Sequence, residues 1–503
     1  MKNKLKVSQI DWVAMFVPLL GVLVLCGFFM SLPEQSQFVL TTIRTFVGDE
    51  MGLYYILLGI LAFGASMYMA FSRFGKIKLG DTDKPQYGSF AWGSMIFTAT
   101  MAADILFYSL CEWALYASEP RLGELGSMQV WASTFPLFHW GPIAWGFYIV
   151  LAASFGFMLH VRGRGKQKFS EACRPLLGNM VDGLLGKVID VIAIFSLIAG
   201  TATTFSLATP LLSAALAHVF DVGVTTAMTI MILLIIAFVY TIAVLTGMKG
   251  ISKLASFCVY FFFALLFYFL FLGGETRYIL ETGVSAVGNL AQNFIGLATW
   301  TDPLRLDAFP QNWTIFYWAY WMAWCVATPF FIGLISKGRT IKNTVLGSYC
   351  WGLAGTFTSF IILGNYGLAQ QTKHGLDSVS AIAGGADISA TIIGIFETLP
   401  LPWLALVLLA VTMIMFYATT FDALTMVVSS YSYKELRAGV EPDKKIRTYW
   451  AVLFILFPIA LIFSENSLYS LQSVAIIAAF PIGIIVIIIV SSFFRDARKY
   501  LDE

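Results

Sequence analysis

Between positions 313 and 340 the sequence reads WTIFYWAYWMAWCVATPFFIGLISKGRT, and Phe316, Tyr317, Trp318, Tyr320, Trp321 and Trp324 crowd its first half. Tyr320 and Trp324 stand four apart and Trp321 and Trp324 three apart, so on a helix these rings gather on one side. Converging rings turn negative faces toward a common point and attract a cation, by about 0.5–2 kcal/mol for a ring at such a site. Interfacial belts and ordinary helix packing use the same residue types. The cation-box reading therefore depends on what accompanies the cluster.

A second chemically distinct stretch is AWGSMIFTATMAADILFYSLCEW at 91–113, in which Asp104 stands in the middle of an apolar run. A carboxylate at that depth is costly unless it faces a polar cavity or a partner. The preceding Thr98, Thr100, Met101, Ala102 and Ala103 are small or adaptable, which allows close helix approach or a local break whose carbonyls meet a cation. Glu112, nearer the outer end, is read as snorkelling or paired. LFHWGPIAWGFY (137–148) supplies Trp140, Trp145 and Tyr148 near a segment end, where a belt is the ordinary explanation. AGTATTFSLATP (199–210) supplies hydroxyls that in membrane helices mostly bond their own backbone. In MFYATTFDALT (415–425), Thr419 and Thr420 adjoin Asp422, and paired hydroxyls suit a hard cation such as Na⁺, although helix-to-helix bonding accounts for them as well.

The elements that hold these residues follow from composition. A chain of 503 residues that is 58% hydrophobic and 12% charged is a polytopic membrane protein rather than a soluble one. Apolar segments near 11–31, 51–72, 90–116, 138–161, 184–215, 223–246, 250–273, 313–335, 343–366, 396–426, 448–464 and 471–494 predict twelve membrane helices, an all-α fold. Lys and Arg concentrate at the amino terminus and in 73–84, 162–174, 249–253, 337–342, 434–447 and 495–499, so these ends and both termini are expected in the cytoplasm. Two outer connections, 274–312 (through 284–297) and 117–137, contain amphipathic stretches expected along the membrane surface. The first apolar run is expected to remain as a span rather than be cleaved. A net charge of +2 argues against nucleic-acid binding, the six cysteines show no CxxC spacing, and the four histidines are scattered, so neither a metal centre nor an enzyme is expected.

FYWAYWMAW (316–324) followed by ISKGRT (335–340) resembles the signature of the betaine/carnitine/choline transporter family, and FHWGPIAW (138–145), TGMKGISKL (246–254) and ATTFDA (418–423) resemble further motifs of it. ATPL (208–211) and FHWGP (138–142) are most similar to the carnitine/γ-butyrobetaine antiporter branch. The resemblance implies two inverted five-helix repeats, which divide the chain at 1–85, 86–275, 276–312 and 313–503, a homotrimer in the plasma membrane, and alternating access around a midplane site. By position it implies a substrate box of Tyr320, Trp321 and Trp324 with Trp140, Trp145 and Tyr148. It also implies an ion site at Thr419 and Thr420 opposite the backbone near Met101. Three positions depart from the antiporter branch or from sodium-coupled betaine carriers: Tyr320 stands where Trp is frequent, Cys258 where that branch has a fixed arginine, and Leu115 where it has a tyrosine. Asp104 replaces a glycine of the sodium-coupled carriers and is similar to the aspartate of proton-coupled choline carriers.

These residues together predict an ion-coupled secondary transporter, by H⁺ or Na⁺ symport, for choline, carnitine, γ-butyrobetaine or glycine betaine, with Asp104 facing the substrate and tilting the choice toward choline. The alternatives are a sodium-independent exchanger of carnitine and γ-butyrobetaine, an aromatic-lined cation channel, and a membrane receptor.

Overall fold

A computed structural model describes residues 9–99, 103–246, 248–436, 440–463 and 468–503. The apolar segments are helical because a backbone crossing hydrocarbon has to satisfy its own N–H and C=O groups. In chain order they are α1 (Trp12–Ser31), α2 (Gly52–Phe71), α3 (Ser89–Ala99), α4 (Ala103–Ala117), α5 (Met128–His139), α6 (Pro142–His160), α7 (Leu184–Phe220), α8 (Thr226–Thr246), α9 (Met248–Phe267), α10 (Thr276–Thr299), α11 (Ile315–Trp324), α12 (Thr328–Ile335), α13 (Ile341–Ser359), α14 (Pro402–Tyr431), α15 (Lys444–Phe463) and α16 (Leu468–Asp502). The protein is an all-α polytopic membrane protein. Among the described residues, eight helical runs are each long and apolar enough to cross a bilayer, and two bent pairs bring the number to ten. That is fewer than the twelve segments read from the sequence, because α3 and α4 stand on either side of residues outside the described ones and α8 counts only to Thr241.

Two of the breaks shape the site. The run Pro310–Trp324 bends by 54° into α12, where Pro329 stands in the first turn and cannot continue the ladder of α11. Between α5 and α6 the chain turns at Gly141, whose Cβ, if present, would lie 2.2 Å from the Leu137 carbonyl oxygen, and Pro142 then opens α6. The backbones of α6 and α12 touch where Gly156 faces Gly333, since a Cβ on Gly333 would lie 2.8 Å from both the Ala152 oxygen and the Gly156 nitrogen.

The two outer connections differ from each other. The stretch at 284–297 lies within α10, which turns 109° from Phe257–Leu272 and exposes Leu280, Val284 and Ile295 while burying Ile279, Ala286 and Leu290. In 117–137 the two halves differ: the first carries a short helix, Pro120–Leu125, of which only Leu122 is buried. The second half is α5, whose residues from Ala132 onward are buried and which runs with α6 as one apolar stretch, Met128–His160.

The basic connections meet one another on one side of the molecule. Lys168 Nζ lies 2.9 Å from Asp11 Oδ2, and Arg162 and Arg164 bond Asp496 of α16 at 3.0 and 2.7 Å. Ile10 pairs with Tyr433 in an antiparallel bridge. The stretch before α3 pairs with the stretch after α12, the amides of Leu79, Gly338, Ile341 and Gln86 donating to the carbonyls of Arg339, Leu79, Ile77 and Lys337 at 2.7–3.1 Å. At the opposite end the contacts are different: Lys373 with Glu275, Trp313 Nε1 donating to Glu119 at 2.8 Å, and Arg305 donating to the Asp49 carbonyl at 2.7 Å.

Candidate functional site

α11 ends at Trp324, where the chain bends by 54° into α12, so the rings stand at the end of an interrupted helix, and Asp104 lies on α4. Asp104 Oδ1 accepts the Ile105 amide at 3.0 Å and its Oδ2 accepts the Tyr320 hydroxyl at 2.6 Å. The same Tyr320 hydroxyl bonds Thr204 of α7. Tyr320 therefore contributes a ring face while its hydroxyl ties α11 to both α4 and α7.

A cavity of about 290 Å³ lies at this junction. Its wall includes Trp140, Tyr148, Tyr320, Trp321 and Trp324 together with Asp104, all buried in the protein interior. Trp321 is the hub, with ring centroids of Tyr148 at 4.7 Å, Trp145 at 5.4 Å and Trp140 at 5.6 Å. Trp145 is not among the lining residues; it stands behind Trp321, pressed over Gly352 of α13, where an added Cβ would lie 2.5 Å from its ring. Trp140, Trp145 and Tyr148 do not form an interfacial belt, because all three are buried and pack on Trp321. The indole N–H groups of Trp321 and Trp324 have no hydrogen-bond partner among the described residues.

The cavity continues past Thr419, Thr420 and Cys258 toward Gln167, Ser430 and Pro442, the end where the basic connections meet. Thr419 gives its hydroxyl hydrogen to the carbonyls of Met415 and Phe416, both at 3.1 Å, so toward other groups, the Cys258 side chain among them, its oxygen is an acceptor. Met101 and Ala102, expected opposite, and the side chain of Asp422 lie outside the described residues. Asp104 is the only charged side chain among the described lining residues, and no Lys, Arg or His joins it.

Two expectations change. The α7 hydroxyls do more than bond their own helix: Thr201 does so, but Thr203 reaches the Leu471 carbonyl at 3.1 Å and Thr209 the Tyr417 hydroxyl at 2.9 Å. Of the two readings of Glu112, snorkelling falls and pairing holds: it is fully buried, accepting the Trp140 indole N–H at 2.8 Å and the Tyr116 hydroxyl. Sequence reasoning missed both Thr204 and this role of Glu112. The available signal was that Glu112 lies eight residues beyond Asp104 on one helix, and so close to the same face.

The sequence matches the family described as "BCCT, betaine/carnitine/choline family transporter" over residues 13–501. It is 28% identical to the glycine betaine transporter OpuD of Bacillus subtilis (strain 168) over 502 residues, 98% of this chain and 95% of that one. A probable glycine betaine transporter of Desulfitobacterium hafniense (strain Y51) is also 28% identical, over 486 residues and 95% of each chain. With an aromatic cavity between interrupted membrane helices and a match along nearly its whole length, the chain is a transporter rather than an enzyme and belongs to the betaine/carnitine/choline transporter family.

Proposed function

We propose that the chain carries a trimethylammonium compound across the plasma membrane by alternating access, its quaternary nitrogen held among Trp140, Tyr148, Tyr320, Trp321 and Trp324. The observation that carries this reading is the make-up of the cavity wall: aromatic faces and one carboxylate, without a basic side chain among the described lining residues. A methylated nitrogen donates no hydrogen bonds, so ring faces replace its hydration at little cost. Asp104 pairs directly with a net cation such as choline and exchanges a proton during the cycle. Thr419 and Thr420 offer oxygens to Na⁺ as the alternative co-substrate. Both termini lie in the cytoplasm, where the basic connections gather, so the cavity described above opens inward. Two inverted repeats, about 86–275 and 313–503, rock around the site in each subunit of a homotrimer.

A second reading takes glycine betaine, with carnitine and γ-butyrobetaine as its longer analogues. The names of the relatives favour it, and so do the unpartnered indole N–H groups of Trp321 and Trp324, which suit a substrate carboxylate. It requires a protonated Asp104, because two carboxylates repel in so dry a site.

The test is counterflow in proteoliposomes preloaded with choline, glycine betaine, carnitine or γ-butyrobetaine, with Na⁺ and pH varied separately. Saturable choline counterflow that responds to pH alone supports the first reading. Counterflow of zwitterions without choline supports the second, exchange that needs neither ion supports an antiporter, and flux without saturation or counterflow points to a channel.

A further inference from the structure

Outside the cavity, on the side away from its inward opening, lies a buried chain of polar groups that the transport reading leaves unused. Glu112 sits two turns along α4 from Asp104, roughly 12 Å at 1.5 Å per residue. Its Oε2 accepts the Trp140 indole N–H at 2.8 Å, and its Oε1 accepts the Tyr116 hydroxyl. The Tyr116 oxygen lies 2.6 Å from His139 Nδ1, and His139 Nε2 lies 3.0 Å from the Thr314 hydroxyl. His139 stacks on Tyr317 at 5.0 Å between centroids and 18° between planes. Glu112, Tyr116, His139 and Thr314 are all buried.

The hydrogens can be followed one by one. A tyrosine hydroxyl and a neutral imidazole have one to donate each. With Tyr116 donating to Glu112, His139 donates through Nδ1 to the Tyr116 oxygen, and Thr314 donates to Nε2. Every group along the chain is satisfied, and its far end holds the indole that faces the box. The elements joined are α4, α5, the Gly141 turn and the π-helical turn that leads into α11.

We propose that Glu112 is a positioning residue for substrate binding. Through the Trp140 N–H it fixes the tilt of an indole that lines the cavity, and Tyr116, His139 and Thr314 hold the carboxyl group in place. This rests on the transport reading above. The role is one of geometry, so a group that accepts from Trp140 without charge should serve. Glutamine does this if the chain reverses: its amide oxygen accepts from Trp140, its amide nitrogen donates to the Tyr116 oxygen, Tyr116 donates to His139 Nδ1, and Nε2–H donates to Thr314. Leucine cannot.

The experiment is concentration-dependent uptake of labelled choline and glycine betaine into proteoliposomes by wild type, E112Q, E112L, W140F and E112L/W140F. Wild type that takes up neither compound overturns the transport reading itself. Given wild-type uptake, E112L and W140F should each raise KM by about tenfold, the order of one lost buried hydrogen bond. Maximal rate should stay within about twofold, and the double variant should be no worse than W140F, as expected for two partners in one contact. E112Q should lie close to wild type. A wild-type KM in E112L, additive losses in the double variant, or E112Q as impaired as E112L would each overturn the proposal. If E112L fails to assemble, W140F and E112Q still decide it: a wild-type KM in W140F, or an impaired E112Q, counts against it.

Discussion

Trp324 ends α11 and lines the cavity, and a cation bound there loses water on every side that rings replace. Trp324→Leu keeps the volume apolar and removes the ring, so saturable uptake should fall at least about tenfold while Trp324→Phe retains part of it. Labelled-substrate uptake in proteoliposomes reads this directly, and an unchanged affinity in the leucine variant would remove the box from the mechanism. Asp104 tests the charge. Asparagine can still accept the Ile105 amide, and Tyr320 retains Thr204, so Asp104→Asn alters charge more than geometry. Choline uptake should fall by about tenfold or more and lose its response to an imposed pH gradient, with glycine betaine affected less. A variant that still responds fully to the gradient would exclude Asp104 as the proton site. At this scale the sequence was informative where residue type alone is unusual, as with Asp104 and the 316–324 rings. Spacing could not give rotation about a helix axis. Trp145 and Tyr148 are three apart on α6, yet Tyr148 lines the cavity and Trp145 backs Trp321 against Gly352.

α11 and α12, which carry the tryptophan cluster and its exit, are short and bent against each other, and α12 is held to α6 by close backbone approach. At Gly333 a methyl group has no room against Ala152 and Gly156, whereas at Gly394 an added Cβ meets nothing within 4 Å. Gly333→Ala should therefore destabilise the protein by about 1–3 kcal/mol through overpacking, and Gly394→Ala should be neutral or stabilising by up to about 1 kcal/mol. Thermal unfolding of both variants in detergent checks the contrast, and equal melting temperatures would refute tight packing of α6 on α12. The bend before Pro329 falls inside 313–335, which hydropathy reads as one segment, and Pro329 itself was the available signal. α5 was not legible. Its stretch mixes Ser, Thr and Gln with apolar residues, and its burial comes from partners distant in sequence, such as Asn289 of α10 donating to Thr134.

Across the whole molecule, the basic connections that hydropathy and charge assigned to one side do cluster there, and ion pairs join them. Burial pushes the Asp11 carboxyl up, but the Lys168 ammonium outweighs it and leaves the group below the ordinary aspartate value. A depressed carboxylate stabilises the fold above its unfolded pKa of about 4, and that contribution is lost as pH falls through the lower folded value. Melting temperature should thus drop between about pH 5 and pH 3 in the wild type, and by less in Lys168→Met, which removes the partner. Identical acid profiles would show that the pair contributes nothing to stability. Pairing between loops remote in sequence could not be read from composition, because charge counts assign a side of the membrane but not a partner.

The four backbone hydrogen bonds between the stretches around Leu79 and Arg339 have a mechanical consequence. They join the segment leading into α3 and the segment leaving α12, so at that end the two move as one lever. In the alternating-access cycle proposed above both jaws then travel together, and a crosslink there should leave turnover intact where one between either jaw and its surroundings would stall it.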